Sequence, residues 1–275
     1  MFYTFSVFFL MKYVLPEKKN IVYMLLSGFF LALTILTRQI FLVCIGPVCV
    51  MVFYVQFKNR FPAIILFVLS VLIFVTPVFY LWKGIVPSAS VFRSATVSLF
   101  SMKYVFLSFG YAFFYFATII PVYFFQFIRR NWKASIALAV IGFLGSFYIK
   151  YDSFLPMTAL VSHMFSPTAI GVISFSFFKV VVMTGLILLF FLLAELYQYR
   201  KDFTQVFYVL SMLSILVTPA LIFDQFSSRY PLQIAPILIL FAYTRIKPIN
   251  SKIQFGINWI AIGINIISVV TFFIY

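Results

Sequence analysis

The sequence predicts an all-α fold, a polytopic transmembrane helical bundle of about ten helices, roughly 9–11. Three observations predict it. First, 65% of the 275 residues are hydrophobic, only 9% are charged, and mean hydropathy is +1.15. A soluble domain carries about 25% charged residues, so the solvent for this much apolar surface is lipid. Second, the apolar runs are continuous rather than alternating, which disfavours barrel strands. Helices are then what satisfies every backbone polar group inside a bilayer. Third, the charges fall almost wholly between the runs.

Taken in order, the apolar segments lie near 2–15, 21–36, 40–57, 61–82, 104–128, 134–149, 172–194, 204–223, 230–243 and 253–275. The first gives about 22 Å of helix, short of the ~30 Å hydrocarbon core, and Lys12 shortens its uncharged part further. It has no basic region before it, so a signal peptide fits poorly. Segment 40–57 holds Cys44 and Cys49. Their five-residue spacing turns them to different helix faces, so they read as two small buried hydrophobes. Several of the segments are shorter than the roughly 20 residues that span a bilayer core. The short ones at 134–149 and 230–243 suit broken or re-entrant helices. No soluble domain, polar linker or internal repeat interrupts the chain, so 1–275 reads as a single transmembrane domain.

The net charge is +15. In this setting it points to membrane lipid as partner, not nucleic acid, because basic loops orient membrane helices and face anionic headgroups. Twelve basic residues, from Lys18 and Lys19 to Lys247 and Lys252, fall in one alternating set of connections. Six fall in the other: Arg38, Lys83, Arg93, Lys103, Lys150 and Arg229. The richer set is expected inside, which places both termini outside after ten spans. Tyrosines and tryptophans near the segment ends agree with interfacial anchoring.

Three features carry candidate chemistry, all on the expected outer side. Arg38, with Gln39, directly follows an apolar helix, where a cation needs water, phosphate or a carboxylate. It reads either as a snorkelling arginine or as part of an anion site. Arg229 and Tyr230 stand before Pro231, which suits the first turn of a helix. Ser227 or Ser228 fits as its cap, and a phosphate can be gripped bidentately by the guanidinium at such a helix start. The long outer loop 83–103 holds Lys83, Arg93 and Lys103 and no acid. Asp152 and Asp224 are the outer carboxylates, and His163 reads as a structural residue of a loop. Glu195 and Asp202, beside Arg200 and Lys201, read as solvated interface charges. No phosphate-binding glycine loop, metal motif or nucleophile elbow is present.

The helix Ser27-Gly28-Phe29 through Leu33-Thr34-Ile35-Leu36-Thr37-Arg38-Gln39 resembles the glycine-then-Thr-Arg-Gln helix of GT-C membrane glycosyltransferases. These include protein O-mannosyltransferase-like and aminoarabinose-transferase-like enzymes. Arg229-Tyr230-Pro231, followed by Pro236, is similar to the late Arg-Tyr-x-x-Pro helix start of the same group. The resemblance implies a transferase of the prokaryotic cell membrane that uses a polyprenyl-phosphate sugar donor on the outer face. It would place Arg38 and Arg229 near the carrier phosphate or the acceptor. It is compatible with a divalent metal, though no ligand set is visible and no cofactor is expected. The acidic motif that the family carries in its first outer loop has no counterpart, since Glu17, the one acid before Arg38, falls inside. The chain therefore reads as the C-terminal portion of a longer bundle, or as an inactive homologue. The competing readings are a transporter or flippase subunit and a lipid-binding scaffold.

Overall fold

The computed structural model describes residues 2–16, 20–55, 60–84, 102–149, 167–221, 231 and 233–245. The fold is all-α, with ten α-helices and no strand among these residues. In chain order they are α1 (Phe2–Val14), α2 (Ile21–Thr37), α3 (Ile45–Val55), α4 (Arg60–Leu81), α5 (Met102–Ile119), α6 (Pro121–Arg130), α7 (Trp132–Ser146), α8 (Pro167–Gln198), α9 (Phe203–Val217) and α10 (Ala235–Arg245). Short 3-10 segments, Gln39–Cys44 and Thr218–Leu221, precede α3 and follow α9. Among the described residues, four stretches are long and apolar enough to cross a membrane: Phe61–Leu81, Met102–Ile119, Phe175–Gln198 and Phe203–Ala220.

The apolar segments become helices close to where the sequence puts them, with four differences. The expected single span 104–128 is two helices, because the chain breaks at Ile120 and Pro121 occupies the first turn of α6. A proline lacks the N–H that an interior helical residue must donate, but is at home in a first turn. The segment 40–57 begins as a 3-10 helix. Segment 134–149, expected to be broken or re-entrant, is a regular helix of 15 residues. Finally, Lys103 lies in the first turn of α5 rather than in a loop. The expected tenth segment, 253–275, lies outside the described residues.

The helices group into two compact units, Met1–Phe100 with Glu195–Gln225, and Ser101–Ala194 with Phe226–Tyr275. In the first unit, α2 packs against α1 and α4, and α3 packs against α4 and α9. The pairs Phe2–Phe30, Ser6–Ser27 and Phe9–Tyr23 show that α1 and α2 run antiparallel. Ser6 Oγ donates to the Ser27 carbonyl at 2.8 Å, and Ser27 Oγ donates to the Ser6 carbonyl at 2.9 Å. Each hydroxyl thus satisfies itself on the facing backbone, which pulls the two helices close. Gly28 does the same toward α4, since a Cβ there would overlap Ser70 Oγ and come within 3.0 Å of the Phe67 carbonyl oxygen. Small residues at such crossings are how helices associate in lipid, where burying leucine against leucine gains little. Asn20 caps α2 by accepting from the Val22 N–H, and Asp202 caps α9 by accepting from the N–H groups of Thr204 and Gln205. α4 ends in a paired turn: Lys83 N–H donates to Tyr80 O and Gly84 N–H to Phe79 O. Lys83 takes the left-handed position of that turn (φ 55°), a site that glycine usually fills.

In the second unit, α5 and α8 cross with their backbones in contact at Gly110 and Gly185. A Cβ on Gly185 would lie 2.9 Å from Phe106 O and 3.0 Å from Gly110 N. Leu107, Phe178, Val181 and Val182 are buried beside this crossing. Toward the other end of α8, Phe191 meets Phe116, Phe124, Phe127 and Phe241 edge-on, at centroid separations of 5.6, 5.0, 5.0 and 6.5 Å. α7 approaches α8 at Gly142, whose Cβ would stand 2.8 Å from Met183 Cα.

Candidate functional site

The last turn of α2 prepares the way out of the helix at Arg38. Thr34 is buried and donates its hydroxyl to Phe30 O at 2.8 Å. The Thr34 carbonyl in turn accepts twice, from Thr37 Oγ1 at 2.8 Å and from the Arg38 N–H at 2.8 Å. Such threonine back-bonding competes with the regular helix ladder. With that carbonyl satisfied, Arg38 leaves helical geometry for extended backbone (φ −150°, ψ 100°). Its own carbonyl accepts from Phe41 N–H at 3.1 Å, which starts the 3-10 segment. Arg38 is exposed and Gln39 half-buried.

Phe41 packs on Tyr3 at 5.0 Å between ring centroids, and both are buried. The 3-10 segment lies against α2 and α9. Tyr3, Cys44 and Ser211 bring their polar atoms together there, and Tyr3 Oη and Ser211 Oγ are buried without hydrogen-bond geometry. The exposed Arg38 thus directly precedes, in the chain, a segment whose Phe41 and Cys44 are buried in an aromatic and weakly polar cluster. An exposed guanidinium presents five donors in a planar fork, which matches the oxygens of a phosphate.

The other expected site residues, Arg229, Tyr230 and Arg93, lie outside the described residues, as do Asp152, His163 and Asp224. α9 and the 3-10 turn after it lead directly into the segment that carries Asp224 and Arg229. Among the described residues, no three His, Cys, Asp or Glu side chains come together in a way that could hold a metal ion. Cys44 and Cys49 are both free thiols; Cys44 is buried as expected, whereas Cys49 is only half-buried.

Glu195 and Asp202, both expected to be solvated, differ in their surroundings. Asp202 is an exposed helix cap, but Glu195 is only 2% exposed. The sequence neighbours Arg200 and Lys201 suggested solvent because they follow closely in the chain. Both are indeed exposed, whereas the last turns of α8 bury the position of Glu195.

The sequence reading also passed over Lys179. Its Nζ stands 3.9 Å from the Phe147 ring centroid, 4.1 Å from Phe175 and 5.1 Å from Phe143. Two signals were legible: Phe175 sits one helical turn before Lys179, and Phe143 and Phe147 are spaced i, i+4 at the C-terminal end of α7.

Comparison with protein-family models, curated proteins and solved structures finds no match for this chain.

Proposed function

We propose that this chain is a membrane glycosyltransferase, or the C-terminal portion of one, that uses a polyprenyl-phosphate-linked sugar donor. One observation carries the reading. Arg38 is exposed at a built break between an apolar helix and a 3-10 segment, the place where a lipid-borne phosphate meets the end of a membrane helix. The Thr-Arg-Gln pattern that makes this break is the one that resembles the GT-C group. The distribution of basic residues favours the same orientation, with the Arg38 end of α2 facing outward from the cell membrane.

In such a transfer the bond from the anomeric carbon to the phosphate oxygen breaks, and the electron pair leaves with the carrier phosphate. A new bond forms from the anomeric carbon to an acceptor oxygen, which loses its proton. Arg38 would stabilise the charge that develops on the departing phosphate. Removing one such donor commonly lowers turnover by a factor of about 10²–10³.

The test measures transfer from a labelled polyprenyl-phosphate sugar in membranes that contain the full chain. Arg38→Ala is expected to lower transfer about a hundredfold, and Arg38→Lys to restore part of it, since lysine keeps the charge and loses the fork. Arg229→Ala, from the second matching motif, is expected to act in the same direction. Transfer that is unchanged in both alanine variants sinks the anion site. Native protein that binds the donor but yields no product supports the non-catalytic readings instead.

A further inference from the structure

Lys179 lies within the apolar stretch Phe175–Gln198 of α8, where a bare ammonium is costly. Three phenyl rings take up part of that cost, from Phe175 on its own helix, Phe143 on α7 and Phe147 at the C-cap of α7. Ring faces attract a cation but do not accept its hydrogen bonds as an anion does. The one acid on the same helix, Glu195, is 16 residues further along (195 − 179), or about 24 Å.

The geometry around Lys179 is that of a wedge. α7 and α8 touch at Gly142 and Met183, one turn from Lys179. Beyond that contact the helices are lined by the three phenylalanines, which are 39–57% exposed. Ile136, Val140 and Leu144, each more than half exposed, continue the α7 face as an apolar stripe that leads away from the lysine. Among the described residues, one cation at the head of this exposed apolar stripe matches one phosphate with acyl chains below it.

We propose that Lys179, Phe143, Phe147 and Phe175 form a seat for the phosphate of an anionic phospholipid, whose chains lie along Ile136, Val140 and Leu144. The seat is independent of Arg38 and of the transferase reading. The rings restrict the ammonium and exclude water around it, and the diester phosphate accepts hydrogen bonds from its N–H groups. A zwitterionic headgroup would bring its own cation toward the same lysine and be held less well.

The test places the full chain in phosphatidylcholine vesicles that contain a small fraction of phosphatidylglycerol carrying a photoreactive acyl chain. Cross-links are then mapped on the tryptic peptide 134–150, which Lys133 and Lys150 bound. The native protein is expected to label this peptide more with phosphatidylglycerol than with a matched phosphatidylcholine probe. Lys179→Met should lower the phosphatidylglycerol labelling roughly fivefold, the size expected of one basic side chain at an anionic surface. Lys179→Arg should retain it. Labelling of other peptides should stay unchanged, which reports that the variant is folded. Equal labelling by the two probes, or undiminished labelling in Lys179→Met, overturns the proposal. So does competition by a polyprenyl phosphate but not by phosphatidylglycerol. A several-fold rise in Asp152→Asn over an unlabelled native protein also overturns it, because a carboxylate would then be the partner of Lys179.

Discussion

Replacing Gly110 by alanine probes the contact on which the second unit is built. The new Cβ would overlap the carbonyl oxygen, the carbonyl carbon and Cγ1 of Val181. Two of these are backbone atoms that cannot rotate aside, so α5 and α8 must separate by roughly 1 Å. A gap of that size forfeits about a quarter to a half of the dispersion energy of each contact it opens. Overpacking of this kind costs about 1–3 kcal/mol. Alanine also gains up to ~1 kcal/mol of helix propensity over glycine, which masks part of the loss. Gly145→Ala serves as the reference, because a Cβ there meets nothing within 4 Å. Comparing the two variants largely removes the propensity and leaves the overlap, about 1–3 kcal/mol. Reversible unfolding by sodium dodecyl sulfate in mixed micelles reads this as a shift in midpoint. If Gly110→Ala and Gly145→Ala unfold together, the close crossing of α5 and α8 is refuted.

Two further expectations concern the first unit. Ser6→Ala and Ser27→Ala should show a favourable coupling in a double-mutant cycle, about 0.6 kcal/mol and at most ~1.7 kcal/mol; additive effects would mean that the reciprocal bonds do not form. Asp202→Ala should destabilise by about 1 kcal/mol through loss of the α9 cap, while Asp202→Asn keeps most of it. Equal midpoints for these two variants would count against the cap.

Hydropathy made the helices legible because it depends only on local composition. The bounds of α1, α2 and α4 fall within one or two residues of the apolar runs that foretold them. The break at Ile120 was hidden within a run of even apolarity, although Pro121 was a usable sign. The threonines before Arg38 and its position at a helix end were visible, and so was the exposure of a cation there. What the sequence could not display was partnership between distant segments. Nothing local says that Gly110 faces Val181, that Ser6 faces Ser27, or that Phe143 and Phe147 reach Lys179. Glu195 misled for the same reason, since its sequence neighbours are exposed while its helix face is not.

The ring of phenylalanines around Phe191 has a thermodynamic consequence. In a bilayer, parting those rings exposes them to hydrocarbon rather than to water. The edge-on geometry draws on the ring quadrupoles, not on the release of ordered water. Its contribution therefore lacks the large heat-capacity signature of hydrophobic burial. Helix packing at Phe191 should hold nearly constant strength across a range of temperatures over which an aqueous core would weaken on cooling.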